Sequence, residues 1–177
     1  MAEFVFAEDN PSWVDDFSEE KIKDPDFARI RTFFQDHCPV KGSSARGRAL
    51  ESYGWENKNL LRKVLEKDVH FFYAEKLEDM KACLEARNLI GSFHACRNET
   101  VCFLYSKKGI LMQFFSHVRN CFAHNRFAIK PHKDDWLFIL EDVSRDKKVS
   151  ARMILKKSTL LRWIEIIEGG EKSFKEK

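Results

Sequence analysis

The chain has 177 residues and a mass of 20.9 kDa, which is the size of one domain with room for an additional arm. A hydrophobic content of 44%, with 13% aromatic residues, is enough for a sizeable core and excludes a largely disordered chain. The net charge is +3, no apolar run approaches the roughly 18 residues of a membrane span, and the first residues lack the basic start of a secretory signal.

Because 33% of the residues are charged while glycine and proline are scarce, we expect a mainly α-helical, cytoplasmic protein with no membrane contact. The chain is predicted to divide into an acidic N-terminal arm with short helices (1–40), a helical domain (45–170) and a frayed tail (171–177). The arm is strongly acidic up to Asp26, where two lysines oppose nine acidic residues and leave a balance of −7: Glu3, Glu8, Asp9, Asp15, Asp16, Glu19, Glu20, Asp24 and Asp26.

Two helix starts are predicted in the arm. Asn10 is a helix-capping residue and Pro11 suits the first turn, so a short helix is expected after them. Asp24 and Pro25 start a second helix in the same way, and its apolar residues are Phe27, Ile30, Phe33 and Phe34. The Gly/Ser/Arg segment 41–48 (KGSSARGR) then favours a loop.

The middle of the chain, from Trp55 to Ile90, contains neither glycine nor proline. Its apolar residues recur at helical spacing: Leu60, Leu61, Val64, Leu65, Val69, Phe72, Leu77, Met80, Leu84 and Leu89. The pattern predicts one long helix, or two helices with a break near 68–71, ended by Gly91. The segment 100–105 (TVCFLY) fits a strand and a helix equally well.

Residues 110–124 are predicted to form an amphipathic helix. At about 100° per residue, one face collects the apolar side chains Leu111, Phe114, Phe115, Val118 and Phe122. His117, Asn120 and His124 gather nearly opposite, at positions i, i+3 and i+7, with Arg119 beside them. We therefore expect the phenylalanine face in the core and the polar stripe pointing away from it.

The last third of the chain predicts a hairpin and a helix. Residues 136–141 (WLFILE) and 149–155 (VSARMIL) flank the polar turn SRDKK and favour an antiparallel β-hairpin within 136–155. Ser158 then caps a final helix that Gly169 and Gly170 end, with apolar residues at Leu160, Leu161, Ile164 and Ile167.

The five cysteines form no C-x-x-C pair, and without an export signal we expect them to stay reduced. His37 and Cys38 together with His94 and Cys96 could supply mixed zinc ligands. Structural zinc sites, however, usually use two close-spaced ligand pairs on turns, whereas these cysteines lie in apolar or helical stretches. We therefore expect buried, inert thiols and no metal or other cofactor.

The positive charge is concentrated in one part of the chain. The acid-free window, residues 100–133, contains no Asp or Glu and carries six basic residues: Lys107, Lys108, Arg119, Arg126, Lys130 and Lys133. Such a stretch is typical of a phosphate-binding surface, and Lys107, Lys108, Arg126 and Lys130 are the residues expected to contact an RNA backbone. A solvated basic face is the alternative.

Within this window the segment 116–127 reads SHVRNCFAHNRF, in which Arg119, Asn120 and His124 form the pattern R-N-x-x-x-H. The pattern resembles the signature of the HEPN superfamily (higher eukaryotes and prokaryotes nucleotide-binding), and the resemblance extends over roughly 45–170 to the branch found in plasmid and phage defence. It implies an all-helical bundle and a metal-independent ribonuclease that acts as a homodimer. It also implies a toxin or abortive-infection effector, restrained by an antitoxin or another inhibitory protein.

A second copy of the pattern, with the permitted longer spacing, consists of Arg87, Asn88 and His94. Gly91 interrupts any helix between its members, and acidic residues flank it on both sides. The acid-free surroundings and the helical geometry favour Arg119 and His124.

Cleavage of RNA without a metal requires a base for the ribose 2′-hydroxyl, a positive group at the phosphate and an acid for the leaving oxygen. Histidine exchanges protons near neutral pH, which suits His124, and the planar guanidinium of Arg119 can hold two phosphate oxygens. Asn120 is placed to orient the imidazole or to bind phosphate. The products would be 2′,3′-cyclic phosphate and 5′-hydroxyl ends. One histidine is too few for both proton transfers, so His117 or the second subunit of a homodimer is expected to assist.

Two other functions fit the same residues. One is a non-catalytic HEPN module that binds nucleotides or RNA or pairs with a nucleotidyltransferase-like protein. The other is a helical interaction protein that contains the pattern by chance. Because both Arg119 and His124 are present, and the window around them lacks acids, we favour the ribonuclease.

Overall fold

The computed structural model describes residues 10–14, 24–40, 48–93, 98–106 and 109–175. The helices and strands follow one another as α1 (Pro25–Thr32), a π-helical turn (Phe33–His37), a 3-10 turn (Leu50–Tyr53), α2 (Lys58–Leu65), β1 (Phe71–Ala74), a 3-10 turn (Leu77–Asp79), α3 (Met80–Ala86), β2 (Thr100–Leu104), α4 (Ile110–Ala123), β3 (Phe127–His132), β4 (Asp135–Val143), β5 (Val149–Lys156) and α5 (Lys157–Lys175). No helix in these ranges is long and apolar enough to cross a membrane.

The protein has a mixed α/β fold, so the expectation of a mainly α, all-helical bundle is wrong. Its five strands form one sheet in the order β1-β2-β5-β4-β3. β1 and β2 are parallel, and the other neighbours are antiparallel. The predicted hairpin is confirmed as β4 and β5, but it belongs to this larger sheet rather than standing alone.

One hydrophobic cluster covers each face of the sheet, and successive side chains along a strand belong to the two clusters in turn. On β4, Phe138 and Leu140 belong to the cluster made with α1, α2, α4 and α5. Their neighbours Leu137 and Ile139 point to the other cluster, made with α3 and the segment 10–14. Because these strands are buried on two faces, the sequence shows apolar runs without the alternation of a half-exposed strand.

The middle of the chain differs from the prediction because a short apolar strand lies between two helices. α2 ends at Leu65, the strand β1 follows at Phe71–Ala74, and α3 begins at Met80. The prediction of one or two long helices is therefore wrong, although its suggested break at 68–71 marks the change. The segment 100–105, which fitted both structures, contains strand β2.

The predicted helix at Asp24 is confirmed and belongs to the main core. The carboxylate of Asp24 accepts hydrogen bonds from the backbone nitrogens of Asp26 and Phe27 at the start of α1. Phe27, Ile30 and the residues up to Val40 lie in the same hydrophobic cluster as α4 and α5. The predicted boundary between 40 and 45 therefore does not separate two cores.

The segment 10–14 is held on the sheet by a buried ion pair. Arg152 and Glu141, which face each other on β5 and β4, are fully buried, with 2.7 Å between Arg152 Nη2 and Glu141 Oε2. Arg152 Nη1 also donates to Asn10 Oδ1 at 2.7 Å, and the Trp13 backbone nitrogen donates to Glu141 Oε1 at 2.7 Å. We call Glu141, Arg152 and the segment 10–14 the Glu141 anchor. Residues 11–14 are not helical, and the rest of the predicted first helix lies outside the described residues.

The last part of α5 contacts the 3-10 turn Leu50–Tyr53 and the residues that follow it. Gly170 interrupts α5 with φ 80° and ψ 166°, which agrees with the predicted stop at the two glycines. A Cβ at this position would lie 2.8 Å from the carbonyl oxygen of Tyr53, so only glycine fits. Residues 171–175 then continue as helix, and the ring of Phe174 lies 6.1 Å from that of Trp55. The segment for which the sequence predicts a frayed tail is thus helical as far as residue 175.

Candidate active site

The predicted motif helix is confirmed as α4, with its phenylalanine face in the core. Phe114, Phe115 and Phe122 have no exposed surface. The helix ends where Asn125 adopts the left-handed conformation, with φ 56°. The Arg126 nitrogen then donates to the Cys121 carbonyl at 2.7 Å, and the Asn125 nitrogen to the Phe122 carbonyl at 3.4 Å, which is a Schellman ending. The motif therefore occupies the last turns of a helix with a defined end.

His117 differs from its predicted position because it is buried between α4 and the sheet, with 6% of its surface exposed. Its Nδ1 lies 2.8 Å from Asp142 Oδ2, and its Nε2 lies 2.8 Å from the carbonyl oxygen of Leu104. The polar stripe of α4 thus begins over the ends of β2 and β4 instead of pointing away from the core. This burial is possible because Asp142 and the Leu104 carbonyl give both ring nitrogens a hydrogen-bonding partner.

The two contacts of His117 engage both of its ring nitrogens. A carbonyl oxygen only accepts, so Nε2 donates to Leu104. Nδ1 faces the Asp142 carboxyl group, and their hydrogen bond requires a proton between them, carried by one partner or the other. Because both ring nitrogens are engaged, His117 has no position left for a substrate proton. It serves better to position Asp142 than to act as the auxiliary acid or base expected from the sequence.

Asn120 lies one turn further along α4 and is held by the same carboxylate. Its Nδ2 donates to Asp142 Oδ2 at 3.1 Å, so the same oxygen of Asp142 contacts both His117 and Asn120. Asp142 is itself buried, and it follows Glu141 near the end of β4, next to a β-bulge at Val143. We call His117, Asn120 and Asp142 the Asp142 cluster.

Sequence reasoning missed Asp142 entirely. The available signal was a pair of acids, Glu141 and Asp142, that ends the apolar run WLFIL. Two acids at the end of a buried strand require partners. Which partners they find depends on how α4 crosses the sheet, and no local pattern reveals that crossing.

Arg119 leaves α4 on another side, near the end of the π-helical turn. Burial raises the pKa of the Cys38 thiol well above its usual value, and the positive charge of Arg119 acts in the opposite direction. The two side chains are therefore close enough to interact electrostatically. Arg119 is half-buried and interacts with other parts of the protein.

His124 is exposed at the end of α4. Its backbone nitrogen donates to the Asn120 carbonyl at 3.0 Å and completes the last helical turn. Asn120 and His124 are four residues apart and share one side of the helix, whereas Arg119 is about 140° around the axis from His124. The structure thus joins His117 to Asn120 through Asp142 and leaves the His124 imidazole accessible, whereas Arg119 leaves the helix in a different direction.

The residues expected to contact an RNA backbone have different surroundings. Arg126 donates to Ser12 Oγ at 3.2 Å and lies 3.6 Å from the buried Glu141, so it adds to the Glu141 anchor. Lys130 is half-buried with its Nζ 5.1 Å from the ring centre of Phe93. Lys107 and Lys108 lie outside the described residues.

The second copy of the pattern does not have this geometry. α3 ends at Ala86, so Arg87 and Asn88 follow the helix, and Asn88 has φ 57°. The guanidinium of Arg87 lies 3.5 Å from the ring centre of Phe72, a cation–π contact that gives it a structural partner. His94 lies outside the described residues.

The cysteine and histidine positions considered for zinc are likewise separated or not described. Cys38 is fully buried with its Sγ 3.6 Å from the Phe115 carbonyl oxygen, whereas His37 is exposed. His94 and Cys96 are outside the described ranges. In the part of the chain that the structure covers, no group of three or more His, Cys, Asp or Glu residues could hold a metal ion.

Comparison of the chain with protein-family models, with curated proteins and with solved structures finds no match. α4 carries an accessible imidazole at His124, a half-buried guanidinium at Arg119 and an amide at Asn120 that a buried carboxylate orients. Imidazole groups can transfer protons near neutral pH, and guanidinium groups can stabilise negative charge on phosphate.

Proposed function

We propose that the protein is a metal-independent endoribonuclease whose catalytic groups are His124 and Arg119, with Asn120 beside them. The observation that carries the proposal is the hydrogen bond from Asn120 to the buried Asp142, one turn before the exposed His124. A buried carboxylate that fixes a motif amide near an accessible histidine is the arrangement expected of a preorganised site.

In this reaction His124 accepts the proton of the ribose 2′-hydroxyl, and the freed oxygen attacks the adjacent phosphorus. Arg119 holds the phosphate oxygens while their negative charge grows. The bond from phosphorus to the 5′-oxygen breaks, and that oxygen receives a proton. The products are a 2′,3′-cyclic phosphate and a 5′-hydroxyl end, and a chain without bound metal suffices.

The proton for the leaving oxygen requires a second group. His117 is engaged at both ring nitrogens, so it is a poor source. We therefore propose a homodimer in which the second copy of the motif supplies this group across a two-fold axis. The roles of a toxin or abortive-infection effector and of an inhibitory protein partner rest on the HEPN resemblance and belong to the same proposal.

One observation favours a second candidate function. Of the two histidines on the polar stripe, His117 and His124, only His124 is accessible in a single chain. One accessible histidine is enough for binding but not for both proton transfers. A non-catalytic module that binds RNA or nucleotides, paired with a nucleotidyltransferase-like partner, would need no more. This function becomes the better one if the purified protein binds RNA without cutting it.

The test is incubation of purified protein with total RNA in the presence of EDTA, followed by analysis of the new ends. We expect 2′,3′-cyclic phosphate and 5′-hydroxyl ends from the wild type. His124→Ala should lose this activity, whereas the matched control His70→Ala should keep it, because His70 is an exposed histidine before β1 whose imidazole pairs with Glu66. Equal activity of the two variants would indicate a contaminating nuclease or a different active site.

A further inference from the structure

Two cysteines on the opposite face of the sheet from α4 form a close pair. The Sγ atoms of Cys83, on α3, and Cys102, on β2, lie 2.7 Å apart, and both residues are free thiols. A disulfide bond has a length of about 2.05 Å, so only a small displacement separates this contact from a covalent bond. Neither the RNA motif nor the Asp142 cluster uses these residues.

The two thiols differ in accessibility. Cys102 is fully buried among the residues that pack under α3, whereas Cys83 is half-buried on that helix. A reagent in solvent therefore reaches Cys83 first. Cys102 is then protected from further reagent, and its sulfur is already in contact with that of Cys83.

The local electrostatics favour the same order of events. The hydrogen bond between Cys83 and Cys102, helped by the positive charge of Arg87, holds the pKa of Cys83 below its usual value against the effect of burial. The same hydrogen bond, together with burial, raises the pKa of Cys102. Cys83 is thus the nucleophilic thiol of the pair, because the thiolate is the reactive form.

We propose that Cys83 and Cys102 form a reversible oxidation site that responds to hydroperoxides. The Cys83 thiolate attacks the outer oxygen of the hydroperoxide, and the O–O bond breaks. The attacked oxygen stays on Cys83 as a sulfenic acid, and the other oxygen takes up a proton and leaves as an alcohol. Cys102 then displaces that hydroxyl group as water, and the S–S bond forms. In total, two thiols lose two electrons and two protons, and the hydroperoxide is reduced to alcohol and water.

Two further cysteines show why the reaction is selective. Cys38 and Cys121 have no exposed surface, and burial raises the pKa of each thiol well above its usual value. Both therefore stay protonated and out of reach of a dissolved oxidant. The expectation of buried, inert thiols fits these two, whereas the half-buried Cys83 departs from it.

The test is treatment of the folded, full-length protein with a small excess of hydrogen peroxide, followed by thiol counting after denaturation and by peptide mapping without reductant. Of the five thiols, we expect two to be lost, in a linked peptide that contains Cys83 and Cys102. The melting temperature should rise by roughly 5–10 °C, because the bond closes a loop in the unfolded chain, and dithiothreitol should reverse both changes.

Single variants separate the two steps. Cys102→Ser should leave a sulfenic acid on Cys83 that a dimedone probe labels, and Cys83→Ser should leave Cys102 unlabelled. Cys96→Ser serves as the matched control and should form the linked peptide like the wild type. The proposal is overturned if the folded wild type yields no Cys83–Cys102 peptide, or if Cys102 reacts equally well when Cys83 is absent.

Discussion

Glu141 and Asp142 are neighbours on β4, point to opposite faces of the sheet and support two different kinds of polar site. Glu141 is fully buried, and Arg152 and the segment 10–14 satisfy its oxygens. Asp142 shares a hydrogen bond with His117 and accepts one from Asn120, at the start of a polar stripe that ends on the exposed His124. The first site is closed on all sides, and the second leads to the surface. Two neighbouring acidic residues thus differ in surroundings: Glu141 completes a buried ion pair, whereas Asp142 holds side chains of a polar stripe that reaches the surface.

The largest effect is expected when the buried ion pair of Glu141 and Arg152 is broken. Glu141→Gln leaves the guanidinium of Arg152 buried without a counter-charge, which should lower the free energy of unfolding by about 3–5 kcal/mol. Chemical denaturation measures this change. Arg152→Met should be similarly destabilising, and the double variant should cost clearly less than the sum because the two residues act as a pair. Additive losses would show that the ion pair is not what holds the segment 10–14.

The next prediction tests whether α4, with its exposed His124, carries the proposed RNA cleavage. His124→Ala should reduce single-turnover cleavage by about 100-fold or more, because it removes the proton-transfer group, while RNA affinity stays near that of the wild type. Arg119→Ala should weaken both binding and cleavage, since its charge contacts phosphate throughout the reaction.

Arg87→Ala and His94→Ala, in the second copy of the pattern, are the matched controls for these two variants and should remain active. Circular dichroism should show that all four variants keep the wild-type fold. Inactive controls beside an active His124→Ala would mean that the second copy carries the chemistry.

A smaller effect is expected at Asp142. Asp142→Asn keeps the size of the side chain but weakens its hold on His117 and Asn120, so cleavage should fall by about tenfold and stability by about 1–2 kcal/mol. Single-turnover rates at saturating RNA separate the loss in rate from a loss in binding. Asn120→Ala combined with Asp142→Asn should be no slower than the slower single variant, because both act through one contact. A purely structural Asp142 would lower stability and leave the rate of the folded enzyme unchanged.

The smallest effect concerns the acidic arm next to the Glu141 anchor. The opposite charges of the arm and the acid-free window lead us to expect competition with RNA at low salt. Replacing Asp15, Asp16, Glu19 and Glu20 by their amides removes four charges without touching the segment 10–14. RNA affinity should rise by about 2- to 10-fold at low salt and by less at high salt, where charges are screened. Equal affinity at low salt would leave the arm as an ordinary acidic extension.

Local patterns were enough for α4 and for the hairpin. The phenylalanine spacing of α4 and the polar turn between β4 and β5 are written in adjacent residues, and both predictions are confirmed. The strands β1 and β2 escaped because they are short and apolar, so that no periodicity separates them from a buried helix. The mainly α expectation, which was based on composition and on the HEPN resemblance, therefore met no decisive strand signal in these two segments.

The candidate site divides in the same way. The exposed His124 could be located from the helical wheel, and so could Asn120 beside it. The burial of His117 and the role of Asp142 could not, because the contact joins residues 25 positions apart across two elements. It depends on the register of β4 and on the angle at which α4 crosses the sheet, neither of which any local pattern contains.

The strand order has a consequence for how the protein is made. β1 and β2 are joined through α3, and β3 and β4 are joined by a tight turn, so each pair can form as the chain leaves the ribosome. β5 lies between the two pairs and is synthesised after both. Until residues 149–156 emerge, β2 and β4 have no common neighbour and the floor beneath His117 is incomplete. The sheet edge that holds His117 and Asn120 is therefore complete only after β5 has been synthesised, although α4 itself emerges earlier.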